Sequence, residues 1–260
     1  MRFSFLFIAI GVVLFSCKKT TVTPPEEMPP LNGTPTSNAS LRLNLAHIAN
    51  NSPLALGTTT YTTSNNDTFS VKLFKYYLSN VSLKNQAGQT ITVPGSYFLV
   101  DEADPLSKII NLQNIPSDDY TSISFMIGVD SARNVSGAQT GALDPSNGMF
   151  WSWTTGYIMA KVEGSSPQSG SGLKDLVFHI GGFSGANKGI RTVTLNLPIN
   201  AHVHAEHQTQ VNISADVAKW FSGVNTVDFS LTYDITIVNS RSKSIADNYV
   251  NMFTVTSVVN

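Results

Sequence analysis

The chain reads as an all-β protein: a single antiparallel β-sandwich or flattened barrel with long functional loops and one or two short helices. Three observations predict this. Segments such as LRLNLAH (residues 41–47) alternate apolar and polar side chains, as a half-buried strand requires. Roughly ten such runs are spaced by Gly, Asn, Ser and Pro turns. Helical periodicity is scarce, and no repeat of about 20–50 residues is visible.

The elements follow in order. Residues 1–16 have the form of an export signal, with Arg2 before an apolar run from Phe3 to Phe15. That run is shorter than the ~20 residues a membrane-spanning helix needs. Leu14-Phe15-Ser16-Cys17 has the form of a lipobox, which makes Cys17 the lipidated first residue of a mature bacterial lipoprotein. The competing reading is a plain signal peptide in which Cys17 is incidental. Residues 17–40 are rich in Thr, Pro, Glu and Asn and read as a flexible tether to the membrane. The expected location is the periplasm, anchored to the outer or inner membrane.

Residues 41–260 make one β domain. After residues 41–47, strands are expected at 69–83, 90–93, 97–101, 120–129, 156–163, 176–180, 190–197, 210–215, 228–238 and 253–258. Short helices are expected at 216–221 and 244–249, each opened by a capping-type residue. Net charge is −1 and only 13% of residues are charged, which excludes a nucleic-acid footprint.

Cys17 is the one cysteine. Processing there leaves no disulfide, thiolate site or cysteine nucleophile in the folded domain. Any metal must therefore be held by imidazole, carboxylate, amide or thioether groups. No nucleophile elbow, HExxH motif, phosphate loop or nucleotide fingerprint occurs. Asp101, Glu102 and Asp104 could serve as a glycosidase carboxylate set, but nothing places them in a cleft. The chain is not expected to be an enzyme.

Residues 128–164 (GVDSARNVSGAQTGALDPSNGMFWSWTTGYIMAKVEG) are the most informative stretch. A long polar segment inside a compact domain is usually functional or disordered, and Trp151 and Trp153 argue against disorder. They share a face if the segment is extended; on composition alone the favoured reading is that they plug one end of the sandwich. Asp130, Asn134, Asp144 and Asn147 suit a structural calcium ion, or else close turns. His179 lies in an apolar strand (LVFHIGG), and His47 ends the first strand. His202, His204 and His207 form HVHAEH, an alternative metal site in which the first two share a face at about 7 Å if the segment is a strand.

GMFWSWTTGYIMAKVEG followed by FHIGG resembles the MbnP-like copper-binding proteins, exported β proteins named for a periplasmic partner of the methanobactin copper system. The KLFKYYLSNVSL strand and IADNYVNMF, the latter typical of a lipoprotein branch, extend the resemblance from Leu41 to the C-terminus. It implies a periplasmic copper carrier or scavenger with a histidine/aromatic site. In some members a separate di-haem enzyme oxidises a tryptophan to kynurenine, which then takes part in binding copper. Carried onto this chain, His47 and His179 are the implied imidazole ligands and Trp151 or Trp153 the residue for modification. The alternative is a structural or interaction lipoprotein whose tryptophan loop binds a glycan or a protein without metal.

Overall fold

The computed structural model describes residues 39–152 and 154–260; the expected signal peptide, Cys17, most of the tether, and Trp153 lie outside the described residues. The chain runs through β1 (Ala39–Ala49), the short β2 (Ser52–Pro53) and β3 (Tyr61–Thr62), and the 18-residue β4 (Thr68–Asn85). β5 (Thr90–Thr92), β6 (Tyr97–Asp101), β7 (Ile109–Ile115) and β8 (Asp118–Ile127) follow. The one-turn helix α1 (Ser131–Asn134) opens the tryptophan loop, which passes through β9 (Phe150–Ser152) into β10 (Gly156–Ser165). β11 (Asp175–Gly181), β12 (Arg191–Val203), β13 (Thr209–Asp216), β14 (Asp234–Ile235), helix α2 (Ser240–Tyr249) and β15 (Phe253–Val259) complete it. β1 begins two residues inside the stretch expected to be tether.

Two open sheets face each other, so the sandwich holds and the barrel does not. A five-stranded sheet runs β15-β13-β1-β2, with β7 also on β1. A ten-stranded sheet runs β12-β8-β4-β10-β11-β14, with β3, β5, β6 and β9 attached beside it. Pairing is mostly antiparallel, but β1 lies parallel to β13 and β11 parallel to β14. The long β4 is the spine: its first half pairs with β10 and its second with β8. A left-handed Asn80 (φ 51°) sits in the irregularity between Ser79 and Ser82.

Alternation decides what faces the core. Leu41, Leu43 and Leu45 of β1 meet Phe74 and Tyr76 of β4, Val162 of β10 and Phe178 of β11 in one buried cluster. Burying each such side chain stabilises the fold by about 1.5–3 kcal/mol relative to exposure.

Three expectations need correction. Residues 228–238 are not a strand: Asp228 closes a turn by accepting from Ser230 and Thr232, and only Asp234–Ile235 pairs with a neighbour. β7 was not anticipated, although Ile110, Leu112 and Ile115 point inward. The helix expected at 216–221 is a single 3-10 turn, Val217–Trp220, while α2 starts earlier than expected, at a capping box on Asn239.

Candidate metal centre

The tryptophan loop is a third layer, packed on the outer face of the ten-stranded sheet. Tyr77 of β4 points outward between the inward-facing Tyr76 and Leu78. With Val129, Leu143, Met149, Tyr157, Ile158 and Met159 it forms a second buried apolar cluster, with Trp151 and Phe150 partly covering it. Tyr157 stands edge-on to Tyr77 at 5.6 Å and to Phe150 at 5.0 Å. Its hydroxyl donates to the Leu143 carbonyl at 2.6 Å.

The four residues considered for calcium hold this loop in shape instead. The buried Asn134 amide donates to the carbonyls of Val129 (2.7 Å) and Asp130 (2.9 Å), and its oxygen accepts from the Tyr157 N–H. Asp130 accepts from the Arg133 N–H, the Asn80 amide and the Tyr97 hydroxyl. Asp144 caps the next turn through the Ser146 N–H, and Asn147 donates to the carbonyls of Gly141 and Ala142. Burial pushes the Asp130 carboxyl up, but these hydrogen bonds outweigh it and hold it below the usual range. These are turn-closing roles, as Asp and Asn play in loops generally, and among the described residues the four share no oxygen cage.

Trp151 lies against β11. Its six-membered ring covers the face of Gly181 so closely that a Cβ at that position would collide with Cζ3. His179 is two residues back on the same face of the strand, since Phe178 and Ile180 on either side point into the core. His179 Nε2 is 2.8 Å from Glu163 Oε1, and Lys161 Nζ is 3.2 Å from the same oxygen. Among the described residues His179 Nδ1 has no hydrogen-bond partner. Burial lowers the His179 pKa, with Glu163 opposing and Lys161 assisting, so the ring is neutral near pH 7. Burial raises Glu163, but the bonds from His179 and Lys161 prevail and keep it ionised.

His47 does not join this group. It lies between the two sheets, its ring 4.7 Å from that of Phe74, whereas His179 is on the opposite side of the ten-stranded sheet. Both its nitrogens are occupied: Nδ1 by Glu102 at 2.7 Å and Nε2 by the Tyr76 hydroxyl at 3.0 Å. Glu102 also pairs with Lys108 at 2.7 Å. Burial lowers the His47 pKa despite Glu102. A neutral ring that donates from Nδ1 and accepts from Tyr76 at Nε2 satisfies every group. The expected convergence of His47 with His179 is therefore corrected: His47 is a structural histidine.

The other carboxylates are committed too: Asp101 pairs with Lys75 at 2.9 Å and Asp104 caps Leu106. Of HVHAEH, His202 and His204 flank Asp119, while His207 closes a turn on the His204 carbonyl through its backbone. Among the described residues no three His, Cys, Asp or Glu side chains already form a metal-binding group. Sequence reasoning missed Glu163 and Glu102 as imidazole partners; for Glu163 the alternation of GYIMAKVEG, with Lys161 and Glu163 both outward, was the available signal.

The fold and the site define an all-β sandwich with an aromatic loop laid over the outer face of one sheet. The chain belongs to the MbnP family, whose model matches residues 38–240. Among solved structures it is similar to MbnP from Methylosinus trichosporium, with 14% identity, 72% of this chain and 79% of that chain covered, and a TM-score of 0.49. No curated protein matches.

Proposed function

We propose that this protein is an exported lipoprotein, lipidated at Cys17 and held in the periplasm, that binds copper as cargo on the outer face of its larger sheet and acts as a carrier or scavenger. The observation that carries the reading is the placement of the Trp151 ring over Gly181, two residues from a half-buried, neutral His179 with a free ring nitrogen. Neutral imidazole is a good copper ligand in either oxidation state. Glu163 holds Nε2 from the neighbouring strand, which fixes the ring and leaves Nδ1 as the nitrogen open to an ion. Membership of the MbnP family supports copper as the ion. Conversion of Trp151 or Trp153 to kynurenine by a separate di-haem enzyme would add an aniline nitrogen and a ketone oxygen, donors that indole lacks. His47 is outside this ligand set.

A second reading is favoured by the same contact. Trp151 packed on Gly181 is also a clamp that fixes the loop, which suits an interaction lipoprotein presenting that loop to a glycan or protein. Copper titration of the intact protein against a chelator of known affinity separates the two. The copper reading expects one tightly held ion on this face, with His179→Ala weakening that binding roughly tenfold or more while the fold persists. Unchanged affinity in His179→Ala removes the copper site from this face and leaves the clamp.

A further inference from the structure

We propose a second, surface metal site at the end of β12, formed by Asp119, His202 and His204 and suited to a borderline divalent ion such as Cu²⁺ or Zn²⁺. It is independent of the tryptophan face, from which β4 and β10 separate it in the order of the sheet. His202 is paired across the β12–β8 ladder with Asp119. Its Nδ1 lies 2.6 Å from Asp119 Oδ1, and His204 Nε2 approaches that same oxygen at 3.9 Å. Val203, the last residue of β12, is buried, while His202 and His204 on either side of it are both exposed.

The spacing comes near what a metal needs, although among the described residues no three such side chains are placed to hold an ion as they stand. Bonds of about 2.0–2.1 Å in a tetrahedral site put neighbouring ligand atoms about 3.3 Å apart. The two observed separations fall either side of that value, so closure needs His204 to move inward by about half an ångström while His202 opens by about as much. The side chains are partly exposed (51% for His202, 49% for His204, 36% for Asp119), and among the described residues no side chain hydrogen-bonds the His204 ring. The backbone beneath them is fixed. The His202 N–H donates to Asn260 Oδ1 at 2.8 Å, its carbonyl accepts from the Thr209 hydroxyl, and the His207 N–H closes the turn on the His204 carbonyl. Movable imidazoles on an anchored strand end leave metal closure a matter of side-chain rotation.

The donor set selects the ion. Two imidazoles and one carboxylate favour Cu²⁺ over Zn²⁺, and both over Ca²⁺ or Mg²⁺. Among the described residues no lysine or arginine pairs with Asp119, so its charge is available to a cation. Such an exposed site would capture metal loosely.

The test is a Zn²⁺ titration of the intact protein against a chromophoric chelator, repeated with Cu²⁺. His202→Ala, His204→Ala and Asp119→Asn should each weaken binding at this site roughly tenfold or more, with thermal melts confirming the fold. His204→Gln, on the turn, serves if His202→Ala disturbs the strand. His207→Ala should bind as wild type. His179→Ala should also leave this site intact, which separates failure here from failure on the tryptophan face. Unchanged Zn²⁺ affinity in the His202/His204 double variant, or an equal loss in His207→Ala, would overturn the proposal in favour of scattered surface imidazoles.

Discussion

Trp151 rests on Gly181 with no room for a side chain between them. The contact joins the far end of the tryptophan loop to β11, and Gly181 is the residue that permits it. Gly181→Ala is expected to lift the indole and cost about 1–3 kcal/mol, the usual range for overpacking. Chemical denaturation and near-ultraviolet circular dichroism check this together. Wild-type stability with an unchanged tryptophan signal would show that the ring is free to move.

Asn134 satisfies three peptide groups from one buried amide. Asn134→Ala leaves the Tyr157 N–H and two carbonyls without these partners, at about 1–3 kcal/mol for the first group left unpaired. Hydrogen exchange should quicken across residues 129–150 and stay slow in β1 and β13. Uniform acceleration through the sandwich would contradict a separately held loop layer.

Tyr77 carries a buried hydroxyl with no hydrogen-bond partner among the described residues. Burial, with the Tyr157 and Asp144 charges adding, pushes its pKa far above the ordinary range. Removing an unpaired polar group is neutral or favourable. Tyr77→Phe should therefore match or exceed the wild-type melting temperature, and a clear loss would reveal a partner for that oxygen.

His47 and His179 make stability depend on pH in one direction. Both have folded pKa values below the ordinary 6.5, burial being the largest cause. As pH falls through about 6.5 the unfolded chain takes up protons that the folded protein refuses, so stability falls from neutral pH toward the folded pKa values. His47→Gln, which cannot titrate, should flatten this dependence in urea unfolding followed between pH 5 and 8. An unchanged slope would assign the dependence elsewhere.

Much of this was readable in the chain. The strands β1, β6, β8, β10, β11, β13 and β15 follow from alternation, and the tryptophan loop declared itself by its length and its aromatic residues. β7 escaped because IINLQNI alternates only from Ile110 to Gln113 before a left-handed Asn114 (φ 58°) interrupts it. Residues 228–238 carry β-branched residues but find hardly any edge to pair with, and pairing is a tertiary property. For the two histidines the decisive clue was parity. His47 continues the inward series of Leu41, Leu43 and Leu45, whereas His179 stands opposite to Phe178 and Ile180. Which sheet each strand joins could not be read from either segment, and that is why their separation was missed.

The parallel pairing of β1 with β13 sets the order in which the molecule can be finished. Asn44 and Asn212, partners across that ladder, are 168 residues apart. Long-range pairing of this kind folds slowly, because loop closure precedes any return. In a chain delivered N-terminus first, one edge of β1 can zip to β7 early, while the other must wait for β13 to emerge. Until then it is an open template for foreign strands. The period of greatest vulnerability to aggregation therefore falls while the chain is still emerging, before the last fifth of the polypeptide has arrived.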